Sequence, residues 1–314
     1  MQLWYVTFHG GDDPHEWNNI HIFDLAGKPL GKALATHSLP NDTRLLELRG
    51  FAFGPDGDLY VANANKNASQ VLRFDGKPGA DGKHSFREVF IEQHPANPGL
   101  AHPFDVAFGP DGHLYVPSQN TNVVGRYYGP RALDGQPGQP MPHPPALREV
   151  DTKRLLPGTF VPSKRVAPYG VRSVRRAIFG PNGNLYVADR DSNSVKRYDG
   201  VSGENQREYR HHRITTPEHL AFESGERILV GSRDKHAVYA LNTSTGDVSP
   251  LVEPGMGGLR APAGLAFGPA GKLYVCSRET KQILRYDAET GKADPKPFID
   301  GLADFPEFIS LVTR

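Results

Sequence analysis

Apolar and polar positions follow a repeating cycle along this chain. A short apolar run meets a tight turn, a second apolar run follows, a polar stretch interrupts, and a third run ends at Gly. Phe53-Gly54-Pro55-Asp56-Gly57-Asp58-Leu59-Tyr60-Val61 returns as Phe108-Gly109-Pro110-Asp111-Gly112-His113-Leu114-Tyr115-Val116, and again from Phe179 to Val187 and from Phe267 to Val275. A worn copy runs from Phe222 to Val230. In the copy at 49–75, Pro55 presets φ, Asp56 can bond its own backbone, and Gly57 accepts a positive φ. Val71 to Asp75 reads as a third strand and Phe86 to Ile91 as a fourth. Four antiparallel strands in about 45 residues make a propeller blade. No window shows a sustained helical period.

The marker phenylalanines are 55, 71, 43 and 45 residues apart. A further copy begins at Pro306-Glu307-Phe308-Ile309-Ser310-Leu311 and ends without its second strand. Leu3-Trp4-Tyr5-Val6-Thr7 supplies that strand from the other end of the chain. The expected fold is an all-β, six-bladed propeller with four-stranded antiparallel blades over 1–314, read as a single domain. Its first blade is built from 305–314 plus 1–34, which removes the open sheet edges. Phe305, Phe308 and Leu311 are expected to bury in that closing strand. An insert is expected at 129–174, between blades three and four, with Gly129 to Pro145 lying between the outer strands of blade three and Asp151 to Val174 connecting blade three to blade four.

With the recurring Leu-Tyr-Val-Ala and Arg-Tyr-Asp-Gly segments, these repeats resemble NHL-repeat and SMP-30/gluconolactonase-like six-bladed propellers. They are also similar to the repeats of streptogramin lyases, which have seven blades. The resemblance covers the whole chain and implies the fold. This architecture hosts lactonases, lyases, phosphatases and interaction modules alike.

Bulk properties narrow the classes. A formal net charge of +1 gives no general drive toward nucleic acid. No apolar run approaches membrane-spanning length, so no membrane partner is expected. A single cysteine excludes an internal disulfide. The expectation is a cytoplasmic monomer, with a trimmed secreted protein as the alternative. Cys276 fills the slot held by Ala62, Pro117, Ala188 and Gly231 in other blades and reads as a small buried filler.

Function must sit where the copies differ. The start of each innermost strand lines a propeller channel. Those positions read Glu307, Arg49, Phe104, Arg175, Glu218 and Ala263, and the next ones Phe308, Gly50, Asp105, Arg176, His219 and Gly264. Charged groups there are informative, because a buried charge is costly unless paired or used. In one reading Glu218, Glu307 and Asp105 are catalytic carboxylates and His219 assists proton transfer; Glu218 and Glu307 can also hold a divalent metal such as Ca, Mg or Zn. In the other, Glu307 pairs with Arg49 and Glu218 with Arg175 across neighbouring blades. Sugar-lactonase relatives carry Glu, Asn and Asp as metal ligands at such positions, whereas this chain has no Asn there. No organic cofactor is expected.

From Thr152 to Arg176 there is no acidic residue, while Lys153, Arg154, Lys164, Arg165, Arg172, Arg175 and Arg176 are basic. This stretch reads as a solvated loop or as a basic lid for an anionic ligand. The long loop from His9 to Trp17 should share the channel mouth. There His9 and Trp17 would contact substrate, and His9, Asp12, His15 and Glu16 offer metal-ligating atoms in no defined spacing. The resulting expectation is a hydrolase or lyase acting on a small anionic or polar molecule, with Arg49, Arg175 and Arg176 binding it. The alternative is a non-catalytic propeller module that binds a protein or peptide.

Overall fold

The computed structural model describes residues 1–11, 16–65 and 69–313. β1 (Gln2–Phe8), β2 (His21–Phe23) and β3 (Pro29–Lys32) open the first blade. β4 (Leu48–Phe53), β5 (Leu59–Asn63), β6 (Gln70–Phe74) and β7 (Phe86–Glu92) form the second. β8 (Ala107–Phe108), β9 (Leu114–Ser118), β10 (Val123–Tyr127) and β11 (Thr159–Val161) form the third. The fourth holds β12 (Val174–Phe179), β13 (Leu185–Asp189), β14 (Ser194–Tyr198) and β15 (Asn205–Arg210). The fifth holds β16 (Pro217–Ser224), β17 (Arg227–Ser232), β18 (Ala237–Asn242) and β19 (Val248–Val252). The sixth holds β20 (Pro262–Gly268), β21 (Lys272–Ser277) and β22 (Gln282–Asp287), with single bridges to Ile299 and Ala293 in place of a long fourth strand. β23 (Pro306–Thr313) then returns to the first blade as its innermost strand. Apart from short 3-10 turns, the described residues form no helix.

The repeated residues explain the repeated shape. Asp56 accepts hydrogen bonds from the Asp58 amide at 3.3 Å and the Tyr60 hydroxyl at 2.9 Å. Asp111 does the same for His113 and Tyr115, at 3.1 and 2.8 Å. A Cβ on Gly54 would come within 2.7 Å of the Tyr60 ring, so this position needs glycine. The tyrosine then packs edge-on against the marker phenylalanine of the next blade: Tyr60 on Phe108, Tyr115 on Phe179 and Tyr186 on Phe222, with centroids 5.1, 4.7 and 5.1 Å apart. The core is therefore a set of clusters, several of them shared between neighbouring blades.

β23 pairs with β1 from Gln2↔Thr313 to Phe8↔Pro306, which closes the ring. The side chains it buries are Pro306, Phe308, Ile309 and Val312, together with Glu307. Leu311 is only partly buried, against the cluster of the sixth blade. Phe305 lies just before the strand and is half-buried, with Arg278 and Lys281 over its ring at 4.8 and 5.0 Å. The expected insert at 129–174 splits around the outer strand of blade three, as read, but that strand lies further along the chain. β11 lies inside the insert and pairs with β10, so 128–158 is a loop within the third blade and 162–173 is the connector to the fourth. Gly158 and Pro162 flank this three-residue strand and make it read as loop.

Candidate functional site

Two columns of the repeat build a cavity at one end of the channel. The first column is the start of each innermost strand. Pro306, Pro103, Pro217 and Pro262 stand there opposite Phe8, Ser118, Ser232 and Ser277, as Leu48 and Val174 stand opposite Asn63 and Asp189. The residues just after them are Glu307, Phe104, Glu218, Ala263, Arg49 and Arg175. The second column is the residue that leaves the second strand: His9, Ala64, Gln119, Arg190, Arg233 and Arg278.

Local chemistry fixes both columns. The polar residue ending the second strand ties down the preceding connector. Asn63 accepts from the Leu46 amide at 2.9 Å, Asp189 from Ser173 at 3.0 Å, Ser232 from Thr215 at 2.9 Å and Ser277 from Arg260 at 3.0 Å. The connector then makes a left-handed step at Glu47, His102, Thr216 and Ala261, with φ between 42° and 54°. That step, two residues before the channel position, turns the next side chains inward.

The cavity measures about 250 Å³. Its polar wall holds five arginines, Arg49, Arg175, Arg190, Arg233 and Arg278, against three glutamates, Glu47, Glu218 and Glu307. His9, His102 and His219 complete the titratable lining, and Phe104, Phe308 and Pro262 give an apolar side. Phe308 meets Phe104 at 5.6 Å, His219 at 5.2 Å and Arg176 at 5.6 Å, so it fills the middle of the ring as an aromatic floor.

Glu218 gathers three arginines. Arg175 Nε donates to Oε2 at 3.0 Å, Arg233 Nη1 donates to Oε1 at 3.2 Å, and Arg190 Nε lies 3.7 Å from Oε1. Arg175 is itself fixed by Val174 O at 3.0 Å and lies over Phe104 at 5.2 Å. Burial lowers the Arg175 pKa, against the pull of Glu218.

Glu307 Oε1 accepts from Arg278 Nε at 2.8 Å and lies 3.1 Å from His9 Nδ1. Arg49 Nη1 donates to His9 O at 2.9 Å, and Arg49 Nη2 stands 3.3 Å from His9 Nδ1. Burial alone would raise the Glu307 pKa. The His9 hydrogen bond and the charges of Arg49 and Arg278 outweigh it and hold Glu307 down at about 2. His102 is pushed down to about 4 by burial and by the nearby Arg49, Arg175 and His9. His219 is fully buried and held well below its usual value by burial and by Arg176. Its Nδ1 accepts the Leu265 amide at 3.2 Å, which puts the ring proton on Nε2.

Of the residues singled out in the sequence, Glu218, Glu307, His219, Arg49, Arg175 and His9 line this cavity. Asp105 and Arg176 do not. They form a separate ion pair, Arg176 Nη1 to Asp105 Oδ1 at 2.5 Å, and burial raises the Asp105 pKa to about 6. The expected Glu218–Arg175 pair is present. The expected Glu307–Arg49 pair is replaced by Glu307–Arg278, while Arg49 takes Glu47 at 3.5 Å, because Arg278 leaves its strand beside Glu307. Trp17 lies outside the cavity, stacked on His21 at 4.5 Å and against Phe8 at 4.7 Å. Asp12 and His15 lie outside the described residues, and Glu16 is exposed.

The basic connector does not cover the mouth. Only Arg175 of that run lines the cavity; Lys164, Arg165 and Arg172 line a separate depression with Ser163, Val171 and Asp191. The sequence reading missed Arg190, Arg233, Arg278, Gln119, Glu47 and His102. Aligning the residue after each second strand would have found the first four.

A divalent metal does not fit this donor set. Each cavity carboxylate is held by arginine, and among the described residues no group of three or more His, Cys, Asp and Glu side chains is arranged to hold an ion. Among the described residues no helix is long and apolar enough to cross a membrane.

No family model and no curated protein matches the chain. Solved structures do. A nidogen/laminin complex structure aligns at 14% identity over 100% of this chain and 99% of that one, with a TM-score of 0.66. A catalytically inactive His-to-Ala variant of virginiamycin B lyase from Staphylococcus aureus, with quinupristin, aligns at 14% identity over 99% and 92%, with a TM-score of 0.60. The periplasmic gluconolactonase of Pseudomonas aeruginosa aligns at 17% identity over 100% and 99%, also with a TM-score of 0.60. These likenesses show the fold: the chain is a six-bladed β-propeller whose structural neighbours include streptogramin lyase and gluconolactonase propellers.

Proposed function

We propose that the protein is an enzyme that cleaves a small anionic molecule, by hydrolysis or by elimination, in the arginine-rich cavity. The observation that carries this reading is the contact of His9 Nδ1 with Glu307 Oε1 at 3.1 Å inside that cavity. Nδ1 faces Glu307, held ionised at about 2, together with Arg49 Nη2 and Arg278 Nη2 at 3.3 and 3.2 Å; in the tautomer that donates Nδ1–H to Glu307, Nε2 is the ring nitrogen left to take a proton. In a hydrolysis His9 would draw the proton from an attacking water. In an elimination it would draw the proton from carbon beside a carbonyl. Either way negative charge develops on oxygen, and arginines aimed into a largely buried site stabilise it. Glu307 is a poor base in this setting, because the His9 hydrogen bond and the charges of Arg49 and Arg278 hold it ionised down to about 2, and both oxygens of Glu218 are engaged by arginines. Their role is to hold the guanidinium groups and orient His9. A Staphylococcus aureus virginiamycin B lyase that loses one histidine is catalytically inactive, which gives a precedent on a similar fold.

The interaction-module reading has less support. Among the described residues the exposed large apolar side chains are Met1, Leu25 and Leu30 in the first blade and Phe53, Leu133, Val201 and Met256 singly elsewhere. The test is a panel of lactones and esters bearing a carboxylate, followed by acid release, and of carboxylate-bearing elimination substrates, followed by ultraviolet absorbance. His9→Gln should lower the turnover of any active compound by about 10²- to 10⁴-fold. It should leave the fold intact, since the side chain is 38% exposed. Unchanged turnover in His9→Gln would remove the proposed base.

A further inference from the structure

The positive charge of the cavity is not spread evenly. On the side of blades one, two and six, Arg49 and Arg278 face Glu47 and Glu307, and the charges cancel. On the side of blades four and five, Arg175, Arg190 and Arg233 meet Glu218 as the one carboxylate of the lining, with Asp191 acting on Arg175 from outside it, so the lining itself carries two more positive charges than negative ones there. The three guanidiniums come from β12 and from the turns that follow β13 and β17, so they approach Glu218 from separate elements. Glu218 occupies one edge of each. Arg175 spends Nη1 on Ser173 Oγ at 3.3 Å and on Val174 O. Among the described residues, Arg190 makes no hydrogen bond through its buried Nε, and its only ion pair is the 3.7 Å contact with Glu218. Arg233 engages Glu218 through Nη1 alone. Guanidinium N–H groups therefore remain for a ligand on this side, with Phe104 and Pro262 offering apolar surface in the same cavity.

We infer that this triad is the recognition site for a dianionic oxyanion group of the substrate, a phosphate monoester or a paired dicarboxylate, while the rest of the ligand extends toward His9. The inference rests on the proposed function in one respect only, that the bound molecule is the one cleaved. A doubly charged group matches the uncancelled charge, and forked guanidiniums match the tetrahedral or planar array of its oxygens. A neutral or singly charged ligand would leave positive charge at the triad unmatched.

The test uses the full chain and calorimetric titration with phenyl phosphate, phthalate, benzoate and inorganic phosphate. Phenyl phosphate or phthalate should bind at least roughly tenfold tighter than benzoate. Phenyl phosphate affinity should rise between about pH 5 and about pH 7 as its second proton leaves, near pH 6, whereas phthalate would show less of that rise. That difference, with their relative affinities, separates the two dianion classes. Arg190→Gln and Arg233→Gln should each weaken the dianion by roughly tenfold or more and leave benzoate little changed. These arginines are partly exposed, at 32% and 28%, so their loss leaves the core intact, and a melting curve on each variant checks this. Arg190→Lys keeps the charge and should retain part of the affinity. Arg278→Gln, on the balanced side, should change dianion affinity less than either. Equal binding of benzoate and both dianions, or full affinity in folded Arg190→Gln and Arg233→Gln, overturns the inference. Tight dianion binding lost in those variants, with no turnover of any phosphate ester or dicarboxylate, would uphold the triad and count against the enzymatic reading. Turnover of monoanions that dianions fail to inhibit would do the reverse.

Discussion

Replacing Glu307 by Gln should destabilise the fold strongly near neutral pH, and the cost should fade in acid. The carboxylate is 8% exposed and receives Arg278 Nε at 2.8 Å and His9 Nδ1 at 3.1 Å. Its pKa falls from 4.5 to about 2 on folding, which corresponds to roughly 3 kcal/mol. For a depressed carboxylate this stabilisation is complete above the unfolded value of 4.5 and is lost as pH falls through about 2. The Glu307→Gln variant would lack it at every pH and would leave Arg278, 19% exposed, without its counter-charge. Urea unfolding at about pH 7 should therefore show the variant weaker by about 3 kcal/mol, a drop in Tm of roughly 5 °C or more. The gap should narrow as pH falls below about 4.5. Adding Arg278→Gln should cost less than the sum of the two single changes, because both partners of the pair are then gone. A Gln variant as stable as the parent near neutrality, or a gap that does not depend on pH, would refute this account of Glu307.

Other consequences are more local. Removing 306–313 takes away Phe308, Ile309 and Val312, each stabilising by roughly 1.5–3 kcal/mol, and opens β1 as a bare edge; cooperative melting should be lost, and a normal melt would contradict the ring closure. Burial pushes the Cys276 thiol far up, so a thiol reagent should label it only after denaturation, and labelling of the folded protein would contradict its buried position. Neutralising Lys164 and Arg165 to Gln should leave phenyl phosphate affinity in the cavity within about twofold, because they line a separate depression; a large loss would return the connector to the mouth.

The fold was legible because the residues repeated in each blade act physically on one another. The turn Asp holds the buried Tyr, and that Tyr packs on the marker Phe of the next blade. The first ring of the cavity was legible for the same reason, since Glu307, Arg49, Arg175 and Glu218 stand at one position of the repeat. The second ring was not. Arg190, Arg233 and Arg278 follow a strand end in turns whose composition varies, and an arginine in a turn reads as solvated. Only the inward turn of the chain after Asp189, Ser232 and Ser277 brings them to the glutamates. The Arg49–Glu307 pairing failed for a related reason: neighbouring blades predict proximity, but Arg278 and His9 reach Glu307 from the strands beside it. Asp105 and Arg176 sit one residue further along the strand and pair with each other through Nη1 and Oδ1, outside the cavity lining.

The central claim is that the arginine-rich end of the channel is where this protein holds its ligand. A crystal structure of the full chain grown with phenyl phosphate tests it most directly. The account predicts the phosphate on Arg190 and Arg233, with the phenyl ring along Phe104 and Pro262 and facing His9. Phosphate bound instead in the depression of Lys164, Arg165 and Arg172, with the channel cavity holding only solvent, would contradict it.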